Sequence, residues 1–204
     1  MKLKKIASLA LAGIMAVSML TACGEGAGNG NSSSSSEETN VVSGAAAAIN
    51  AELDKNKDLI SFSDDTSIEN MMQVYFANHA ITAPSWAGVT SNYMSDLESY
   101  IKTGLGAEWS GMTAVENMLE NDNADKSATG VVVYAVNAKM FTEASALKFI
   151  GQQIDMLKLA EENASGTKNY EFSGTVSVVE TKTKGGEESV LVFALTFTRD
   201  LADK

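Results

Sequence analysis

The sequence predicts an α+β fold: three or four helices, then a β-α-β-β unit whose strands form a small antiparallel sheet with a long helix on one face. Three observations carry this. Apolar residues recur at helical spacing as far as about residue 120. The period then breaks at Val131-Val132-Val133-Tyr134-Ala135-Val136, a β-branched run too short to span a membrane. Near the C-terminus, two stretches of alternating residues flank the turn Lys184-Gly185-Gly186-Glu187.

Each element has its own signal. Ala45 to Lys57 is helix-favouring, with Ile49 and Leu53 one turn apart. Thr66 and Glu69 have the spacing of a capping box. Ile68, Met71, Met72, Tyr75, Phe76 and His79 then trace one apolar face, which ends near Pro84. A third helix is predicted from Thr90 to Thr103, with Val89, Tyr93, Leu97, Tyr100 and Ile101 on its face and Gly104 and Gly106 as stops. A fourth starts at Thr113, capped toward Glu116, and presents Val115, Met118 and Leu119. Residues 130–140 read as the first strand. Thr142 to Asn163 reads as the long helix, with a seam of Leu147, Ile150, Ile154 and Leu157 widened by Phe149 and Met156. Tyr170, Phe172, Val176 and Val178 share one parity in the second strand. The third, Val190 to Phe197, is apolar on both faces, which places it centrally. The expected strand order is therefore first-third-second. The earlier helices either share the long helix's face or cover the other one.

The N-terminus reads as an address. Lys2, Lys4 and Lys5 precede an uncharged apolar run from Ile6 to Leu20, and Leu20-Thr21-Ala22-Cys23-Gly24 follows. That segment resembles the lipobox of bacterial lipoproteins. The resemblance implies that residues 1–22 are a lipoprotein signal peptide and that Cys23 becomes the mature N-terminus, carrying a diacylglycerol (palmitate-type chains) on its thiol. It also implies a cell-membrane protein anchored on the extracytoplasmic face. Two acyl chains give stable attachment where one gives marginal binding. Residues 23–44 then form a Gly/Ser-rich tether with little to bury and a mean span of roughly 25 Å. The Ser-rich spacer and acidic domain resemble those of Gram-positive surface lipoproteins. Residues 45–204 remain as a single extracytoplasmic domain, large enough for one core.

Composition excludes several functions. The 204 residues carry 26 acidic and 15 basic side chains, a net charge of −11. Loss of the signal leaves 12 basic against 26 acidic groups, near −14. Such a chain is a poor partner for nucleic acid and for an anionic bilayer surface. The single Cys cannot form an internal disulfide, and the single His cannot build a multi-His metal site. No metal and no cofactor is expected beyond the covalent lipid on Cys23. The run Asn121 to Val132 fails as a calcium loop, because Lys126 stands where Gly is required and Val132 where a bidentate Glu is required.

The candidate binding surface is aromatic. Trp86 and Trp109 flank the third helix in Gly-containing turns, Tyr93 and Tyr100 lie between them, and Tyr75 joins from the preceding helix. Exposed Trp and Tyr make platforms for sugars or peptide side chains, whereas buried ones plug helix junctions. His79 is the one candidate imidazole. Beside Glu116, Glu120 or Asp122 it would serve acid–base chemistry; otherwise it caps the end of its helix. No nucleophile, phosphate-loop or zinc motif is present. The sequence therefore favours a non-catalytic domain that binds an envelope protein, polymer or small solute. The alternatives are an envelope hydrolase using carboxylates near His79, and a structural factor of a surface complex.

Overall fold

The computed structural model describes residues 44–85, 88–91 and 93–203. The lipobox, Cys23 and the tether up to residue 43 lie outside the described residues, as do Trp86, Ala87, Asn92 and Lys204. In chain order the elements are α1 (Ala45–Asn50), β1 (Ile60–Asp64), α2 (Thr66–Asn78), α3 (Ser95–Leu105), β2 (Trp109–Ser110), α4 (Met112–Glu120), β3 (Ala128–Asn137), α5 (Glu143–Asp155), β4 (Lys168–Lys182) and β5 (Ser189–Asp203).

The sheet has five strands in the order β1-β4-β5-β3-β2. Its centre, β4-β5-β3, is antiparallel and carries the expected first-third-second order. The two outer strands correct the three-stranded antiparallel expectation. β1 runs parallel to β4 and β2 parallel to β3, so the sheet is mixed. Ile60-Ser61-Phe62-Ser63-Asp64 alternates over only five residues, and β2 has two; neither carries a periodic signal of its own.

Helices cover both faces of this sheet, and one face of β5 serves each layer. On one side α1, α4 and α5 pack through Ile49, Val115, Leu119, Leu147, Ile150 and Ile154 against Tyr134, Val176, Val178, Phe193, Leu195 and Phe197. On the other, α2 and α3 pack through Ile68, Met72, Leu97 and Ile101 against Val131, Val133, Val179, Val192 and Ala194. The earlier helices thus divide between the two faces.

A row across the sheet shows how the packing is shaped. Phe62, Gly174, Phe197, Gly130 and Trp109 lie side by side in register. Phe62 and Phe197 meet edge to face, with centroids 5.5 Å apart. A Cβ on Gly174 would stand 2.3 Å from the Phe62 ring, and one on Gly130 would stand 2.6 Å from a Val115 methyl. The two glycines make room for large neighbours that fill the layer.

Several helix limits differ from expectation, each for a local reason. α1 stops at Asn50, well short of Lys57. The Asn50 amide is bound to β1, accepting from the Phe62 N–H at 2.8 Å and donating to the Phe62 carbonyl at 2.9 Å. α2 is capped by Asp65, whose carboxylate accepts from the Ser67 N–H at 2.8 Å, so the cap precedes Thr66. α3 begins at Ser95 because the chain before it crosses the sheet edge, where the Thr90 carbonyl accepts from Ala135 N–H. Val89 and Tyr93 are therefore not helical. Gly106 ends α3 with a φ of 65°, as expected of a C-terminal glycine. α4 has no side-chain cap; Gly111 leads straight from β2 into it at a φ of 85°. α5 ends at Asp155 instead of Asn163, and Phe149 and Met156 face solvent instead of widening its seam. Asn56 explains that end. Its buried amide donates to the carbonyls of Ile154 and Leu157, both at 3.0 Å.

Candidate functional site

The α2–α3 pair builds an aromatic cluster at the surface that the sequence partly predicts. The two helices run antiparallel and in step. A Cβ on Gly104 would collide with the end of Met71, the Tyr75 and Tyr100 rings lie 5.5 Å apart and tilted by 48°, and His79 and Asp96 line the same cleft. Each step of four residues along α2 matches a step of four back along α3, the spacing at which side chains share a helix face.

Tyr75 sits at the middle of this cluster. Phe76 meets it edge to face at 5.8 Å, and His79 stacks on it with centroids 4.1 Å apart and planes within 10°. Burial raises the Tyr75 phenol above its usual range, and the Asp96 carboxylate pushes it further the same way. Tyr75 therefore keeps its proton at neutral pH. His79 caps the end of α2, and its Nδ1 lies 2.9 Å from the Tyr75 carbonyl. A carbonyl only accepts, so Nδ1 carries a proton, and in the neutral imidazole the Nε2 lone pair is then left over. Ser99 and Thr103 complete the wall from α3, and Thr103 Oγ1 donates to the Ser99 carbonyl at 2.8 Å. Tyr100 remains 39% exposed, which leaves part of its ring accessible. The open cleft measures about 480 Å³, within the range of small-molecule sites.

The other aromatic residues are placed elsewhere. The hydroxyls of Tyr93 and Thr82 lie 2.7 Å apart, and the Tyr93 hydroxyl also donates to the Thr82 carbonyl. Trp109 is on the edge strand β2, 42% exposed, and lines a second cleft with Asn121, Asn123, Asp125 and Lys126. Trp86 lies outside the described residues. Of the expected aromatic surface, Tyr75 and Tyr100 come together, Tyr93 packs on the same hydrophobic layer, and Trp109 lines a separate cleft.

The acids named for the hydrolase alternative are not brought to His79. Glu116 and Glu120 belong to α4, whose buried face packs on the opposite side of the sheet from α2. Asp122 follows in the loop, where it accepts from the Asn123 amide at 2.6 Å. The acid that shares the imidazole's cleft is Asp96, which the sequence reading passed over.

No family model, curated protein or solved structure matches this chain.

Arg199 was also missed. It is the only arginine in the chain and is 3% exposed. Its guanidinium donates to the Met118 carbonyl, and more distantly to those of Asn121 at 3.5 Å and Lys126 at 3.4 Å. The first two belong to the C-terminal end of α4, where a cation is favoured, and the third to the loop that follows. The Tyr170 ring lies 5.2 Å from the guanidinium carbon. Nε, by contrast, is buried without a partner. A signal was present: Leu195, Phe197, Arg199 and Leu201 share the inward parity of β5, so an arginine on that row demanded a buried acceptor. Arg199 holds α4 to the sheet.

Among the described residues no group of three or more His, Cys, Asp or Glu side chains is placed to hold a metal ion, and no helix is long and apolar enough to cross a membrane.

Proposed function

We propose that this protein is a lipid-anchored extracytoplasmic binding module whose working surface is the α2–α3 cleft. The observation that carries the binding part is the in-step surface cluster of Tyr75, His79 and Tyr100 beside Asp96. Aromatic side chains favour burial, and a row of rings left at a surface marks a contact face more often than an accident.

The sheet edges support the same reading. On the β1 side the Asn50 amide occupies both backbone groups of Phe62. On the β3 side, beyond β2, Glu98 accepts from Val133 N–H at 3.1 Å and the Thr90 carbonyl accepts from Ala135 N–H at 3.2 Å. These positions resist strand addition, so a partner is expected to engage side chains on the helical layers. The anchor rests on the lipobox, with Cys23 as the lipid-bearing residue and no soluble cofactor.

Site-specific photocrosslinking in intact cells tests the surface. A photoreactive residue at position 100 is expected to give a discrete adduct with an envelope component, whereas one at position 149, on the solvent side of α5, gives none. Equal adducts from both positions would remove the cleft from the account.

A further inference from the structure

We propose that the α2–α3 cleft recognises a primary ammonium group, the chemistry of a lysine side chain or a free alkylamine. This rests on the reading of the cleft as a binding surface and names its ligand class.

The donor and acceptor inventory points there. The six lining residues are Tyr75, His79, Asp96, Ser99, Tyr100 and Thr103. Every one of them has a polar atom that can accept a hydrogen bond. Asp96 offers a carboxylate. His79 offers the Nε2 lone pair, because its proton is committed to the Tyr75 carbonyl. Thr103 has already spent its hydroxyl proton on the Ser99 carbonyl, so its lone pairs are what remain. None of the six carries a fixed positive charge, and α2 contains no lysine or arginine. A primary ammonium is the complement: three N–H donors, no acceptor and one positive charge.

The rings agree with that assignment. A cation close to a tyrosine face is attracted by the negative face of the ring's quadrupole, and the Asp96 carboxylate in the same cleft adds a direct charge–charge attraction. Tyr75 and Tyr100 stand at 48° to one another, an open corner rather than a closed stack. A phosphate or carboxylate ligand would meet Asp96 with no cation among the six lining residues, and the one lysine of α3, Lys102, acts on the buried Glu98. The net acidity of the chain adds attraction at long range.

The test is isothermal titration of the full-length chain in detergent micelles with 1,5-diaminopentane. Two controls are 1,5-pentanediol, which has the shape without the charge, and tetramethylammonium, which has the charge without N–H donors. The diamine is expected to bind saturably and at least tenfold tighter than either control. Asp96→Asn is expected to weaken it about tenfold, Asp96→Glu to restore most of that loss, Tyr100→Ala to weaken it severalfold, and Trp109→Ala to leave it within twofold. Thermal melts of each variant confirm folding, since all these side chains except Tyr75 are largely at the surface. A lysine-bearing peptide compared with its acetylated form distinguishes sources: tenfold preference for the unmodified peptide over the free diamine assigns the ligand to a protein partner, and equal affinity assigns it to a small amine. Equal binding of diamine and diol, or no effect of Asp96→Asn, overturns the proposal. If crosslinking at position 100 succeeds while the diamine fails, the cleft stands as a contact surface and the ammonium assignment falls.

Discussion

At the scale of single residues, the buried charges decide how stability responds to mutation and pH. Arg199 makes no ion pair among the described residues; the carbonyls of Met118, Asn121 and Lys126 hold its guanidinium, and Glu108 attracts it at longer range. Arg199→Ala exposes those carbonyls and leaves a void, a cost of about 3 kcal/mol. For a domain of this size that is a fall of roughly 6–12 °C in Tm, measurable by calorimetry. Arg199→Lys is expected to recover only part, because one ammonium cannot reproduce a planar fork. Glu98 is the opposite case. Burial raises its carboxyl above the ordinary 4.5, and the bond from the Val133 N–H and the nearby Lys102 only partly offset that. Glu69 is raised as well, by burial and then by Asp64 and Asp65. The native state therefore binds these protons more tightly than the unfolded chain. Their contribution to stability is greatest below about pH 4.5 and declines as pH rises through the native values. Asp155 runs the other way. Slight desolvation raises it, but three backbone N–H groups, of Asp54, Lys55 and Asn56, converge on one oxygen at 2.7–3.0 Å and bring it below its usual 3.8. Its contribution is present above pH 3.8 and lost as pH falls through the native value. Urea midpoints are thus expected to rise from pH 7 toward pH 5 and to fall again below about pH 4. Glu98→Gln keeps an acceptor for Val133 and should flatten the first limb. Glu98→Ala leaves that N–H unpaired and should cost about 1–3 kcal/mol at neutral pH.

At the scale of elements, the aromatic and glycine row joins three strands into one packing unit. Gly174→Ala drives a Cβ into the Phe62 ring, a rigid neighbour in a filled layer, and is expected to cost about 1–3 kcal/mol. The double variant Gly174→Ala with Phe62→Leu should lose less than the sum of the two single changes, and a denaturation cycle measures the coupling. The same row shows what the sequence could disclose. β5 was legible as central because Val190 to Phe197 is apolar on both faces, and the structure buries it between two helical layers. β1 was not legible, because its edge is held by Asn50, a residue whose partner lies twelve positions away. The end of α5 was hidden for the same reason: it is set by Asn56, about a hundred residues earlier in the chain. Of the candidate site, Tyr75, Tyr100 and His79 were readable from composition and helical phase. Their convergence with Asp96 was not, since it depends on the antiparallel register of two helices. The capping-box spacing misled at both Thr66 and Thr113, where Asp65 and Gly111 take the cap position.

At the scale of the whole molecule, the described residues form a three-layer domain, and the proposed lipid anchor rests on the lipobox sequence that ends at Cys23. The domain begins at α1, on the layer opposite the α2–α3 cleft. Cys23→Ser is expected to shift the protein from the membrane fraction to the soluble fraction without changing the domain's melting temperature, because the Gly/Ser-rich sequence after Cys23 offers few apolar side chains to bury. The most direct test of the central claim is mass spectrometry of the mature N-terminal peptide isolated from membranes. The expected result is a chain that starts at Cys23 and carries the added mass of a thioether-linked diacylglycerol. A mature chain that starts at any other residue, or an unmodified Cys23 within a longer N-terminus, would contradict it.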